Sequence, residues 1–168
     1  MARQLQTGAK VRTDEVANAI RALLWEELGD DLALKTCRVG GIEHALLGAR
    51  LADLLPAIFV RPIEATFAPE SVHAMAYEVS ERFRIAYAVP IGAQDEPGVV
   101  ARAGLGRIVA ELAADAGLSS IADGFAPDQI IEGFPEGVEY DPPEDAFLEL
   151  DLPIKVAVCR WVVRWRSC

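Results

Sequence analysis

The fold of this chain is decided by the stretch from Met75 to Pro90, which reads MAYEVSERFRIAYAVP. Apolar and aromatic residues recur there at every second position, with only Glu81 between them: Tyr77, Val79, Phe83, Ile85, Tyr87 and Val89. This period of two predicts a β-strand with one face in a core and the other face solvated. The strand is long for a globular sheet, so we expect it to curl or to project beyond its domain. The position of Glu81 indicates that the inward face is not one continuous core.

The overall composition indicates one folded domain. The chain has 168 residues, of which 52% are hydrophobic, and a formal net charge of −10. This acidity argues against a nucleic-acid-binding surface, which would need clustered lysines and arginines. The sequence contains no apolar run of the roughly 20 residues that a membrane span needs, and we expect no secretion signal at the N-terminus. Three scattered cysteines fit reduced thiols in a protein made in the cytoplasm.

Residues 1–12 are polar and weakly basic, and they are expected to form a flexible N-terminal arm before the first helix. This segment is either a frayed terminus or an arm that becomes ordered on a neighbouring subunit. Thr13 is a suitable N-cap, helically spaced apolar residues follow it, and Gly29 is a suitable stop. Trp25 lies off the apolar stripe of this helix. It is either a contact for a partner or is covered by the helix end or a loop.

The middle of the chain alternates between predicted helices and strands. A helix is expected at Ile42–Leu55, and a short strand at Ala57–Arg61, where Pro62 indicates a sheet edge or a bend. A second long helix is expected to begin at Pro97, with an acidic residue before it as the cap. Its apolar stripe ends near Gly117.

Residues 117–145 are rich in glycine, proline and acidic residues, and they are expected to form an acidic loop region. Only residues 129–131 and 138–140 look like strands within it. Catalytic carboxylates could lie among these acidic residues, but a solvated acidic surface is the commoner case, and a long loop of this kind is often functional. Residues 13–168 as a whole are expected to form a single α+β domain.

The chain finishes with another long predicted strand. Its apolar positions are even-numbered up to Val158 and odd-numbered from Trp161 to Trp165. A slip of one residue in mid-strand predicts a β-bulge at Cys159–Trp161. Arginines alternate with the tryptophans, which suits either cation–π stacking or an interface anchor.

The sequence contains no recognised motif for catalysis or cofactor binding. The glycine-rich nucleotide loops, the GxSxG turn and the HExxH zinc motif are all missing. His44 lies on an apolar helical face, and His73 has no acidic or thiol partner at ligand spacing. We therefore expect no enzymatic activity, no metal and no cofactor.

The order of the predicted elements resembles that of the tail terminator, or tail-completion, proteins of tailed bacteriophages and phage-derived gene transfer agents. The similarity covers most of residues 13–165. It is most specific in Leu55–Pro90, where PAIFVRP at residues 56–62 leads into ERFRIAYAVP at residues 81–90. The resemblance implies an α+β fold, with a mixed, mainly antiparallel sheet and two or three helices packed on one face.

The resemblance also implies a function and partners. Such proteins form a hexameric ring that caps the tail tube, ends its growth and joins the tail to the head or neck. The implied partners are further copies of the chain, the tail tube protein and a neck or head-completion protein. The implied location is the head-proximal end of the tail in the virion, after assembly in the host cytoplasm. DNA would pass through the ring without tight binding, because acidic subunits repel phosphate.

The aromatic and basic side chains of the first helix and the two long strands supply the candidate interface residues. They are Trp25, Arg82, Arg84, Arg160, Trp161, Arg164 and Trp165. Three alternatives remain: another ring component of the neck or head–tail connector, a small enzyme that uses the acidic loop, or a cytoplasmic interaction module with no role in a virion.

Overall fold

The computed structural model describes residues 12–48, 50–69, 77–91, 96–118, 130–140 and 154–167. Its elements, in chain order, are α1 (Thr13–Leu28), β1 (Thr36–Val39), α2 (Ile42–Leu46), α3 (Leu51–Leu54), β2 (Ala57–Pro69), β3 (Tyr77–Pro90), α4 (Pro97–Ala114), β4 (Ile130–Tyr140) and β5 (Ile154–Ser167). The expected helix at 42–55 is thus two short helices. Most of the expected N-terminal arm lies outside the described residues.

One five-stranded sheet with strand order β1-β2-β3-β5-β4 organises the fold. β1 pairs with β2 in parallel, and the other three pairs are antiparallel. The prediction of an α+β fold with a mixed, mainly antiparallel sheet is therefore confirmed. The long strand that decides the fold, β3, lies at the centre and is paired along its whole length with β5.

The two faces of the sheet are covered differently. On one face, here called the helix face, Phe83, Ile85 and Trp161 join the apolar sides of α1 and α4 in the main core. On the other, here called the open face, α2 and α3 cover only one end, where Phe59 and Val156 form a smaller core. The sheet is therefore buried on both sides at one end and mainly on one side at the other.

Glu81 is held in the main core by a hydrogen bond from α1. Its side chain is 1% exposed, between the fully buried Val79 and Phe83. The Thr13 hydroxyl donates to Glu81 Oε1 at 2.5 Å, and the helix N-cap is Arg12 without a side-chain cap bond. The prediction that Thr13 caps the helix is wrong, because its hydroxyl is engaged by the sheet. The predicted break in the inward face is also wrong, since the core continues past Glu81.

The start of α4 and its packing follow from local sequence. The Glu96 carboxylate accepts bonds from the backbone N–H groups of Gly98 and Val99, so the predicted acidic cap before Pro97 is confirmed. Gly104 lies directly against the ring of Tyr87 on β3. A helix with glycine at that point can approach the sheet more closely than one with a side chain there.

The register of β5 explains its change of apolar phase without a bulge. Its pairing with β3 runs without a shift from Tyr77–Ser167 to Pro90–Ile154, so the predicted bulge at Cys159–Trp161 is wrong. Val156 and Val158 lie in the small core of the open face, whereas Cys159, Trp161 and Val163 lie in the main core. The apolar stripe changes phase because β5 begins where α2 and α3 cover the open face and continues where only the helix face is covered.

The register shifts lie in the neighbours of the two central strands. In β2 the shift falls between Pro62 and Glu64, as the predicted bend at Pro62 requires. In β4 it falls between Pro135 and Gly137, and a second shift separates Ile130 from Glu132. Each shift places an extra residue on the outer strand, which is the geometry of a bulge.

β4 occupies part of the region expected to be an acidic loop. Residues 130–140 form one strand rather than two short pieces. Its glycines and proline hide the period of two, and an edge strand tolerates a proline because it is paired on one side only. The remainder of the expected loop lies largely outside the described residues, at 119–129 and 141–145.

Candidate functional site

A row of three arginines crosses the open face beyond the end that α2 and α3 cover. Arg61 on β2 pairs with Arg84 on β3, and Arg84 pairs with Arg160 on β5. Neighbouring strands are about 4.8 Å apart, so the three side chains leave the sheet side by side. They line a cavity of about 630 Å³ together with Pro62, Ile63, Glu64, Arg82, Glu136 and Glu139. We call this cavity the arginine groove.

Glutamates on neighbouring strands neutralise part of this charge. Arg82 forms ion pairs with Glu64, at 3.2 Å, and with Glu136, at 3.1 Å. Arg160 pairs with Glu139 at 3.2 Å. These pairs are partly exposed, and each contributes at most about 1 kcal/mol to folding. These ion pairs therefore orient the guanidinium groups and add little to the free energy of folding.

Arg61 carries the unbalanced charge of the groove. It is exposed, and no ion pair to it is found within the described residues. Like charges directly opposite one another on a sheet destabilise it. With Arg82 included, the groove lining contains four arginines and three glutamates. The guanidinium of Arg61 is therefore available to an external anion.

Arg164 lies further along β5 and already has partners within the chain. Its guanidinium donates to the carboxylates of Glu78 on β3 and Glu132 on β4, with Nε to Glu78 Oε1 at 2.7 Å. Hydrogen bonds to Glu78 and Glu132 raise the pKa of Arg164 above its ordinary value. This candidate interface residue acts within the sheet, as a bridge between β3, β5 and β4.

Two of the candidate interface residues are core residues. Trp161 and Trp165 are 1% and 2% exposed on the helix face, and Gly133 of β4 lies against the Trp161 indole. The prediction that they anchor a partner is therefore corrected, because the fold itself covers them. The odd-numbered phase that they share with Cys159 and Val163 was the signal that they belong to the main core.

Trp25 has the predicted outward position on α1, with 46% of its surface exposed. Glu26 beside it and Asp30 just after the helix are also exposed. No ion pair of either carboxylate is found within the described residues. We call these three residues the α1 tip. Its role as an interface stays a prediction.

Sequence reasoning missed Arg61 and Ile63, which complete the groove. Ile63 is the extra residue at the register shift in β2, and it is 50% exposed. Pro62 was a signal for the shift. The row itself depends on the strand pairing that places Arg61, Arg84 and Arg160 opposite one another, which residue order alone does not give.

The two described cysteines lie apart, Cys159 buried in the core and Cys37 half-buried. Burial raises the pKa of the Cys37 thiol to about 12 and that of Cys159 to about 11. Within the described ranges, no group of three or more histidine, cysteine or acidic residues is arranged to hold a metal ion. The helices of these ranges are too short or too polar to cross a membrane.

Comparison with known proteins finds no family model that matches this chain and no match among curated proteins. Function is therefore inferred from the groove, the α1 tip and the resemblance of two strand segments.

Proposed function

We propose that this chain is a structural subunit of a ring at the head-proximal end of a phage or gene-transfer-agent tail. The ring caps the tail tube, ends its growth and joins the tail to the neck. The observation that carries the proposal is the position of the two resembling segments. Residues 57–62 of the first segment and residues 81–90 of the second belong to the paired strands β2 and β3, and this pairing brings Arg61 opposite Arg84 in an exposed groove.

The distribution of surfaces supports an assembly of like subunits. A cyclic ring needs two different, complementary patches on each subunit, because each copy contacts the next one head to tail. The arginine groove and the α1 tip are two such patches. They lie on opposite sides of the sheet, as a subunit inserted between two neighbours requires.

The charge of the chain suits a ring through which DNA passes. Each subunit has a formal net charge of −10. Closing a ring multiplies that charge around a narrow channel, whose field repels phosphate instead of holding it. DNA then has few protein contacts to break during its passage.

The remaining partners follow from the position of the ring. One rim meets the last ring of tail tube protein, and the other meets a neck or head-completion protein.

Tube polymerisation in the presence of the purified protein tests this proposal. Tail tube protein is allowed to polymerise with increasing amounts of the chain, and electron microscopy measures tube lengths and tube ends. We expect shorter tubes with a ring at one end. Albumin at the same concentrations controls for crowding.

Two results would contradict the proposal. Tubes of unchanged length with bare ends would show that the chain does not terminate them. Rings that bind a portal or neck complex and ignore tube ends would instead identify another connector component.

A further inference from the structure

We infer that the arginine groove of one copy binds the α1 tip of a second copy of this chain. This contact rests on the proposed function, since it supplies the head-to-tail interface of the ring. It assigns the occupant of the groove as the carboxylates of Glu26 and Asp30, with Trp25 beside them.

Charge complementarity supports this occupant. Arg61 lines the groove and has no ion pair within the described residues. Glu26 and Asp30 are exposed carboxylates that likewise have no ion pair there. Guanidinium groups bind carboxylates through paired, charge-assisted hydrogen bonds, which are stronger than neutral ones. Bringing the two patches together gives Arg61 a carboxylate partner.

The apolar parts of the two patches are complementary as well. Ile63 lines the groove and is 50% exposed, and Trp25 of the α1 tip is 46% exposed. A tryptophan placed there can cover Ile63 and stack on a neighbouring guanidinium. Tryptophan and arginine are the residue types most often found at the centre of strong interfaces.

The position of the two patches excludes their meeting within one chain. α1 begins beside Glu81, to which Thr13 is bonded, and the segment after the helix reaches the start of β2, where Lys35 N–H donates to the Pro56 carbonyl. The α1 tip is therefore on the helix face near the start of β2. The groove is on the open face, further along that strand. A contact between them joins two copies and leaves one patch of each free for the next copy.

DNA is a poorer occupant than a second copy. A duplex presents a continuous line of phosphates. Beside the arginine row such a line would meet Glu64, Glu136 and Glu139. The α1 tip presents only two carboxylates, so it brings less negative charge to these glutamates than a duplex does.

Charge reversal on each side of the contact tests the inference. Arg61→Glu removes the unbalanced charge of the groove, and Glu26→Arg reverses the tip. Sedimentation velocity over a range of concentrations measures self-association. We expect each variant to associate at least about tenfold more weakly than the wild-type chain, as for other interface charges that lose their partner. The loss should shrink at high salt, which screens exposed charges.

Mixing the two variants gives the decisive measurement. In an alternating assembly, the carboxylate introduced by Arg61→Glu in one variant meets the guanidinium introduced by Glu26→Arg in the other, and the second contact is of wild-type composition. We therefore expect the equimolar mixture to recover association that neither variant shows alone. Arg38→Glu and Asp53→Arg are matched controls, because both positions are exposed outside the two patches and change the net charge equally.

The outcomes separate this contact from the proposed function. If rings form and Arg61→Glu associates as strongly as Arg38→Glu, the groove contact is overturned while the ring stands. If the mixture recovers association but tube growth is unaffected, the contact stands and the terminator function fails. A wild-type chain that stays monomeric at every concentration overturns the contact. Should Arg61→Glu unfold, Arg61→Gln and Glu26→Arg test the same contact in folded chains.

Discussion

Replacing Gly104 with alanine should destabilise the chain, although alanine is the better helix former. A β-carbon at this position would overlap Cε1 of the Tyr87 ring and lie 2.7 Å from its Cδ1 and 2.8 Å from its Cζ. Carbon atoms in contact are normally about 3.5–4.0 Å apart, so the helix or the ring must move by more than about 1 Å. Tyr87 is 2% exposed and packed in the main core, so its rigid ring has little space to move.

The magnitude follows from two opposing terms. Overpacking a core costs about 1–3 kcal/mol, and the three short contacts place Gly104→Ala at the upper end. The gain in helix propensity is about 1 kcal/mol, which leaves a net loss of about 2 kcal/mol in the free energy of unfolding. For a chain of this length, that corresponds to a melting temperature lower by roughly 4–8 °C.

Gly106 in the same helix is the matched control. A β-carbon there would meet nothing within 4 Å, so Gly106→Ala should gain about 1 kcal/mol and raise the melting temperature. Circular dichroism melts and urea titrations at one fixed protein concentration measure both variants, since self-association would shift the melting temperature. A Gly104→Ala variant as stable as Gly106→Ala would refute the close contact between α4 and Tyr87.

Four further predictions concern the core, the thiols and DNA. Burial raises the pKa of Glu81, so the folded chain holds this proton to higher pH than the unfolded chain. The stability of wild type relative to Glu81→Gln should therefore fall as pH rises above the ordinary carboxyl range. Urea titrations from pH 4 to 8 measure this difference in stability, and a flat or rising difference would contradict the prediction. Trp161→Ala should cost about 3–5 kcal/mol in urea titrations and Trp25→Ala less than about 1 kcal/mol, with equal losses counting against the core assignment. In a Cys168→Ser chain, Cys37 and Cys159 should resist a thiol reagent at pH 8 until urea unfolds the protein. Rapid labelling of the native chain would instead show that these thiolates are accessible. A fluorescent DNA duplex should show no anisotropy change near physiological salt, whereas tight binding that weakens with salt would reveal a basic face that the net charge of −10 conceals.

The central strands could be predicted because their residues alternate over a long range. The period of two in β3 gives both its type and its buried face, and the stripes of α1 and α4 give two helices of the right length. These signals come from residues close together in the chain, so a single sequence is enough to detect them. The cap before Pro97 is equally local, since Glu96 bonds to N–H groups two and three residues away.

The parts that could not be predicted depend on contacts between distant segments. Glu81 looked like a break in the core because its partner, Thr13, is 68 residues away. The phase change in β5 has the same sequence pattern as a bulge, but it arises from the unequal covering of the two faces. β4 was hidden by Gly133, Pro135 and Gly137, residues that an edge strand accepts.

For the same reason, only part of the candidate site could be predicted from the sequence. Arg84 and Arg160 are outward positions in two predictable strands, so each could be singled out on its own. Their alignment with Arg61 is a property of strand register, which the pairing of β2, β3 and β5 sets. The strand register therefore determines which of the individual arginines lie side by side in the groove.

The unequal covering of the sheet separates two kinds of evolutionary constraint. Substitutions on the helix face alter the main core, so they change stability and are restricted by size and shape. Substitutions in the uncovered half of the open face exchange one exposed side chain for another and leave that core intact. Residues of the groove can therefore change without rebuilding the fold. The exposed part of the open face is thus the part of the sheet whose chemistry can vary most independently of the core.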